Sequence, residues 1–364
     1  MKSKVLEPGK RVLIYGTGNF AKKVAANALG LGLEIIGFTD HRKNVDALKL
    51  DGKSYRVYEK SEVRHGNSFD ALILGIGNGL ADLVQIYDDM KESIPKDCIF
   101  SPVEFSNYCG SQNLDLDCYW MQSNSTYYKN NSVEIAEMLG LFQDSESREL
   151  YLRTIKYREF GEISDLTPPD SISDHYLPLG LQTPPKSLRM IDLGACRGEN
   201  LEYFIDKGHT IDFGAFFEPD FNNFEFLAEK LRRLEINNSL VLPLAAWSET
   251  KLLKFDSSSD TSSHLSDVGD SYVQSVKLAD FIATTKINYI KMDIEGAEYN
   301  ALLGLESIIQ RDRPHLAISV YHKPDDMWKI GLWLHAKFGS MYNFHLRNYC
   351  FQTFETLLYA IPKN

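Results

Sequence analysis

The sequence predicts an α/β protein built on two open, mostly parallel sheets with a small helical segment between them. Three observations carry that expectation. "RVLIYGTGNFAKKVAANALGLGLEIIGFTDH" and "SLRMIDLGACRGENLEYFIDKGHTIDFGAFFEPD" each run strand, glycine turn, helix, strand, acid. Further strands alternate with helical stretches in both halves, which places helices on both faces of a parallel sheet. The last two strands, Tyr342–Leu346 and Thr356–Ala360, are joined by a short connection and read as an antiparallel hairpin that finishes the second sheet.

Residues 1–106 form the first segment. Arg11–Tyr15 is apolar and β-branched, a buried strand by composition. An amphipathic helix follows over Phe20–Leu29, then a strand over Glu34–Phe38 that closes at Asp40. "FDALILGIGN" and "LADLVQIYDDMKES" repeat the strand–glycine–helix order, and "KDCIF" adds a strand. Residues 107–186 read differently. Ile135, Met138, Leu139, Phe142, Leu150 and Ile155 fall at helical spacing, with "DSES" supplying caps between two helices. The proline-rich "LTPPDSISDHYLPLGLQTPPK" after them is a linker. Residues 187–364 hold strands at Leu188–Leu193, Phe213–Phe217, Leu240–Ala245, Tyr289–Met292 and Leu316–Val320 before the closing hairpin. "DSSSDTSSHLSD", Asp256–Asp267, reads as a flexible loop.

Lys and Arg total 39 against 50 Asp and Glu, a formal net charge of −11, and no strongly basic block interrupts the chain. Nucleic-acid binding, which needs a cationic footprint, is therefore not expected. The five cysteines form no C-x-x-C pair, so neither a disulfide framework nor a zinc cage is expected. "MKSKVLEPGKRVLIYG" has no signal-peptide core, and no apolar run is long enough to span a bilayer. The expectation is a cytoplasmic protein; whether it forms a homo-oligomer stays open.

The two glycine turns differ in what they suit. "GTGNFA" has the G-x-G-x-x-A spacing after a strand, with Gly16, Gly18 and Ala21 as its fixed points. The amides near Gly18, Asn19 and Phe20 would cradle a phosphate at the helix start, and Asp40 would bond a ribose. Tight strand-to-helix turns also need glycine without any ligand, and both readings stand at this stage. "DLGACRGEN" instead has D-x-G-x-x-x-G spacing, with Asp192, Gly194 and Gly198, and Glu218 closes the next strand. An acid before the glycines disfavours a pyrophosphate. It suits a ligand with a ribose and a cationic amino-acid group, a description that S-adenosylmethionine meets.

From about Val133 onward the chain resembles the FkbM family of S-adenosylmethionine-dependent methyltransferases. The resemblance is carried by "IDLGACRGEN", "FFEPD", "VKLADFI", "YIKMDIEGAEYNALLG", "HLAISVYHKPDDMW" and "YNFHLRNYCFQTFETLLYAIP". It implies a class I methyltransferase sheet of seven strands with a terminal antiparallel hairpin, and cofactor contacts from Asp192, Gly194, Gly198 and Glu218. It also implies O-methylation of a hydroxyl on a sugar, glycan or related natural product. Cys196, Arg197 and Ala279 depart from the residues usual in the family. The first segment resembles the nucleotide- or nucleotide-sugar-binding domains fused to sugar-modifying enzymes. The alternative function is accordingly a protein whose main ligand, a nucleotide-sugar or NAD(P), sits in that Rossmann-like domain.

"MDIEGAE" places Asp293, Glu295 and Glu298 where a strand gives way to a helix, at the sheet edge where doubly wound folds bind ligands. A hydroxyl acceptor must lose a proton during methyl transfer. A carboxylate or histidine can take it, or a divalent cation can lower its pKa. Asp293, His322 and Glu295 are the candidates for that step, and Asp293 with Glu295 offers hard oxygen ligands for Mg²⁺. Glu298 reads as a helix-face residue, and Asp325 and Asp326 as a solvated helix start. Arg347 and Glu355 read as partners of one another, and Tyr151, Tyr157, Phe160 and Tyr176 as core.

Overall fold

A computed structural model of the protein describes residues 6–41, 45–64, 69–112, 114, 116, 119–256, 264–265, 271–282 and 284–363. The chain divides into two compact units. The first comprises Met1–Val133, Glu149–Pro169 and Cys350–Phe354, and the second Glu134–Arg148, Asp170–Tyr349 and Glu355–Asn364. The expected boundaries at 106 and 186 differ from this division. Residue 106 lies inside a helix, Pro102–Ser111, and the helical segment is shared between the units rather than standing apart. No described helix is long and apolar enough to cross a membrane.

In the first unit the chain runs β1 (Arg11–Tyr15), α1 (Asn19–Gly30), β2 (Glu34–Thr39), β3 (Ala47–Leu50), β4 (Lys53–Tyr58), β5 (Ala71–Leu74), α2 (Leu83–Lys91), β6 (Ile99–Phe100), α3 (Pro102–Ser111) and α4 (Ser125–Asn130). The sheet order is β3-β4-β2-β1-β5-β6, parallel except at β3–β4. Helix α1 buries Ala21, Val24, Ala25 and Ala28, one stripe at helical period, against Val12, Ile14, Phe38 and Ile73. The β3–β4 hairpin was not expected. Its signal is "LDGK": Asp51 and Gly52 both take left-handed backbone, φ 47° and 77°, as a two-residue hairpin turn requires. Helices α5 (Ser132–Leu141) and α6 (Ser145–Phe160) come next in the chain.

The second unit runs β7 (Ser187–Leu193), α7 (Glu199–Asp206), β8 (Thr210–Phe217), α8 (Phe221–Arg233), β9 (Ser239–Leu242), β10 (Ala245–Trp247), β11 (Leu252–Asp256), β12 (His264–Leu265), β13 (Ser271–Lys277), α9 (Leu278–Phe281), β14 (Tyr289–Met292), α10 (Glu298–Asp312), β15 (His315–Ser319), α11 (Asp326–Phe338), β16 (Tyr342–Asn348) and β17 (Thr356–Pro362). Seven strands form one sheet in the order β16-β17-β15-β14-β7-β8-β9, with β17 antiparallel to both neighbours and the rest parallel. The expected hairpin is present. The single strand expected over Leu240–Ala245 is instead two: β9 ends the large sheet, and β10 joins a four-stranded sheet ordered β10-β13-β11-β12. Within "DSSSDTSSHLSD", Asp256 and His264–Leu265 pair across β11 and β12; the rest of that stretch lies outside the described residues.

Arg347 and Glu355 do not pair. Arg347 is buried and reaches Asp144 at 3.5 Å and Glu146 at 3.0 Å, and Glu355 meets His175 at 3.2 Å. Asp144 also receives the Ser147 amide at 2.6 Å and pairs with His345. Burial alone would push the Asp144 carboxyl up, but His345, the Ser147 amide and Arg347 together hold it well below the usual carboxylate range. A depressed carboxyl stabilises the fold above its unfolded value, near 4, and loses that contribution as pH falls through the folded one. Asp144→Asn should therefore lower the melting temperature at pH 7, and the gap to wild type should close as pH drops below about 4. Melting curves at pH 7 and pH 3 check this; an equal gap at both removes the assignment.

Candidate functional site

The site lies at the carboxyl ends of β7, β8, β14 and β15. The chain leaves β7 through a turn in which Gly194, Cys196 and Gly198 all have left-handed backbone, φ 72°, 47° and 72°. Gly194 has a steric reason to be glycine: a Cβ there would stand 1.8 Å from the Asp293 carbonyl oxygen at the end of β14. A Cβ at Gly198 would meet Leu201, Leu227 and Lys230, so that glycine serves helix packing, and it does not line the cavity beside the turn. Cys196 does line it, although it departs from the usual turn residue.

Glu218, at the end of β8, also lines this cavity. Its Oε2 accepts the Cys196 amide at 2.8 Å and its Oε1 the Asp220 amide at 2.9 Å. Burial raises the Glu218 pKa, and the two amides oppose the rise. A carboxylate has about four acceptor sites, so each oxygen keeps one for a ligand hydroxyl. Phe217, Leu244, Ala245, Ala246 and Phe255 supply apolar walls.

Asp192 is placed otherwise than expected. It is buried, it does not line the cavity, and its Oδ1 lies 3.0 Å from Lys291 Nζ on β14. Burial pushes the Asp192 carboxyl up and Lys291 opposes that shift. The cation that Asp192 holds is thus the protein's own. A lysine inside the fully buried strand "YIKM" was the overlooked signal, because a buried ammonium requires a partner.

The acids of "MDIEGAE" converge on His322. Glu295 carries a left-handed φ of 54°, rare for a residue with a side chain, and Gly296 follows at 90°. Both carboxylates face His322, whose Nε2 lies 3.5 Å from Glu295 Oε2 and 3.6 Å from Asp293 Oδ1. Glu298 is no exposed helix-face residue. It is fully buried, accepts the Ile294 amide at 2.9 Å, and lies 3.0 Å from His322 Nδ1. Tyr176 donates to Asp293 Oδ2 at 3.1 Å. Asp326 is likewise buried rather than solvated, and accepts the Lys323 amide at 2.9 Å.

Burial disfavours the charged imidazole, but Glu298, Glu295 and Asp293 outweigh it and raise the His322 pKa to about 10. Burial moves Glu295 the other way, up to about 7, despite His322. Burial also opposes ionisation of Asp293, yet His322 and Lys291 keep its pKa below the ordinary value. The acids that raise the His322 pKa favour the protonated imidazole, which disfavours His322 as a proton acceptor at neutral pH. Among the described residues, the set of three groups close enough to share a metal ion is Asp293, Glu298 and His322; Glu295 is not part of it. His322 stands between those acids, and its raised pKa favours the form that offsets part of their charge.

In the first unit, Gly16, Gly18, Asn19 and Phe20 share one turn, as expected. Gly16 has φ 110°, and a Cβ there would lie 2.8 Å from the Gly75 carbonyl oxygen, which accounts for this glycine without a ligand. Gly18 faces open space, and α1 has no side-chain cap. Asp40 accepts the Thr17 hydroxyl at 2.7 Å.

Residues 192–352 match the methyltransferase FkbM domain. No curated protein matches the chain. Among solved structures, methyltransferase FkbM from Methylobacillus flagellatus KT aligns over 97% of this chain and 90% of its own, at 21% identity and a TM-score of 0.75. A putative methyltransferase from Streptococcus mutans in complex with SAH aligns over 49% of this chain and 90% of its own, at 14% identity and a TM-score of 0.31. Aeropyrum pernix fibrillarin with natively bound S-adenosyl-L-methionine aligns over 50% and 70%, at 12% identity and a TM-score of 0.32. The first of these shows the fold; the strand order of the second unit is that of a class I methyltransferase.

His322 provides a test of the site's electrostatics. Its pKa is about 10 in the fold against 6.5 ordinarily, so proton binding favours the folded state. That stabilisation is complete below about pH 6.5 and is lost as pH rises through about 10. The raised values of Glu295, about 7, and Asp326, about 8, act in the same direction. The melting temperature should fall between pH 6.5 and 10, and His322→Gln should flatten that slope. A wild-type melting temperature that is constant over this interval removes the imidazolium.

Proposed function

Residues 192–352 belong to the FkbM methyltransferase family, and from that premise we propose that the second unit binds S-adenosylmethionine and methylates a hydroxyl of a sugar, glycan or related natural product. The observation that carries the reading is one cavity lined by Glu218 and Cys196 together with Asp293 and Glu295. Its lining includes three carboxylates and, among the described residues, no lysine or arginine. Such a lining suits a cationic ligand without phosphate and disfavours an anionic one. When bound, the cofactor supplies a methyl group activated by a sulfonium.

The chain's own residues have three tasks. Glu218 offers its remaining acceptor sites to the ribose hydroxyls, and the apolar walls flank a flat base. His322, held as a cation, keeps Asp293 and Glu295 together on one side of the cavity despite their repulsion. Glu295, whose pKa of about 7 matches neutral pH, takes the proton of the acceptor hydroxyl. The alternative, in which the N-terminal unit carries the main ligand, draws on the uncapped start of α1 and the open face of Gly18. It is the weaker reading, because Thr17 already engages Asp40 and Gly75 accounts for Gly16.

Charge-assisted hydrogen bonds contribute about 1.5–3 kcal/mol, so Glu218→Ala should weaken S-adenosylmethionine binding by about ten- to a hundredfold in a chain that still folds. Calorimetry reads this, and an unchanged affinity in the folded variant rejects the cofactor assignment. Methyl transfer from labelled cofactor to a panel of neutral glycosides and polyols should proceed equally with and without a chelator. Loss of transfer on chelation, restored by Mg²⁺, would reassign the acids to a metal.

A further inference from the structure

Burying an ammonium is costly unless nearby groups compensate it closely. Lys291 sits in the middle of β14 with its side chain 3% exposed. Its strand partner in register on β7 is Asp192, and the two side chains form the 3.0 Å ion pair already described. Charge balance requires no more than that. Yet Lys291 Nζ also donates to the Gly194 carbonyl at 2.5 Å, and it lies 5.4 Å from the centroid of the Tyr176 ring.

The bond to Gly194 is informative because of where each group faces. Gly194 lines the cavity; Lys291 and Asp192 do not. The ammonium therefore grips the turn from the protein side and is not offered to a ligand. Further along the turn, the Cys196 amide is held by Glu218. Between these two holds the backbone is left-handed at Gly194 and Cys196, a conformation disfavoured at Cys196. The Gly194 and Ala195 amides both bond the Phe217 carbonyl, at 3.0 and 3.2 Å, which ties the turn to β8 but leaves the direction of the Gly194 carbonyl to its own partner.

We propose that Lys291 is a positioning residue for cofactor binding: by holding the Gly194 carbonyl it sets the turn so that the Cys196 amide and the Glu218 carboxylate meet the ligand in register. The inference rests on the reading of this turn as the S-adenosylmethionine site. It separates two roles within one side chain. The bond to Asp192 serves stability, and the bond to Gly194 serves the ligand.

The test compares wild type, Lys291→Met and the double variant Lys291→Met/Asp192→Asn, each by thermal melting and by calorimetry with S-adenosylmethionine and S-adenosylhomocysteine. Lys291→Met leaves Asp192 buried without its cation, so the melting temperature should fall. The double variant removes that charge and should recover most of the lost stability. Its affinity for both ligands should nevertheless stay about ten- to a hundredfold below wild type, because the Gly194 carbonyl still lacks its charged donor. The double variant keeps the comparison open if Lys291→Met alone does not fold. Affinity that recovers together with stability would overturn the proposal and reduce Lys291 to a structural ion pair. So would wild-type affinity in either folded variant. Absence of binding by wild type is a distinct result, seen before any variant is compared, and overturns the cofactor reading along with this inference.

Discussion

Five carboxylates crowd the carboxyl edge of the second sheet, and their mutual repulsion is the constraint around which the site is arranged. Asp192, Glu218, Asp293, Glu295 and Glu298 sit in surroundings where charges are weakly screened. Two buried cations and a set of backbone amides compensate them. Lys291 takes Asp192; His322 stands among Asp293, Glu295 and Glu298; the Cys196 and Asp220 amides hold Glu218. Glu295 remains the least compensated. Its pKa near 7 follows from burial, with Asp293, Glu298 and Glu355 as further negative neighbours. Three acids can therefore follow one strand because the next strand delivers an imidazolium to them.

Backbone geometry makes this compensation feasible. β7 and β14 are adjacent and parallel, so the turns after them meet at one edge. Gly194 allows the first turn to lie against the Asp293 carbonyl, and the left-handed Glu295 turns the second back on itself. A non-glycine residue in this conformation is disfavoured, and such strain concentrates at functional positions. Glu295, in this conformation, holds its carboxylate 3.5 Å from His322 Nε2.

Much of this was legible in the sequence where local rules suffice. Strands β7, β8, β14, β15, β16 and β17 fall within a few residues of their expected places, because buried parallel strands read as short apolar runs between turns. The hairpin β3–β4 and the sheet β10-β13-β11-β12 escaped notice, since strands such as "KSYRVY" and "SYVQSVK" are largely polar and only half buried. At the site, Asp293, Glu295, His322 and Glu218 were identifiable from their positions at strand ends. Pairing across strands was not. Nothing in the spacing of Asp192 reveals that Lys291, about a hundred residues later, is its register partner. Nor does an isolated helix pattern reveal that Glu298 turns inward to receive the Ile294 amide and His322. His175 and Tyr176 lie in a proline-rich linker with no periodicity, yet one meets Glu355 and the other Asp293.

The way the charges are compensated bears on what the site can accept. Lys291 and His322 are both buried and are already engaged by the protein's own acids. Neither lines the cavity, whose walls combine carboxylates with apolar side chains. A phosphate or carboxylate on an acceptor, placed beside Asp293 and Glu295, would meet repulsion with no free cation among the lining residues to offset it. A neutral hydroxyl, the acceptor proposed above, meets no such repulsion. The same carboxylates that favour a sulfonium thus disfavour an anionic acceptor beside it. In the proposed function, selection of the cofactor's charge and of the acceptor's charge would follow from one arrangement of acids, which the fold stabilises with cations it keeps out of the cavity.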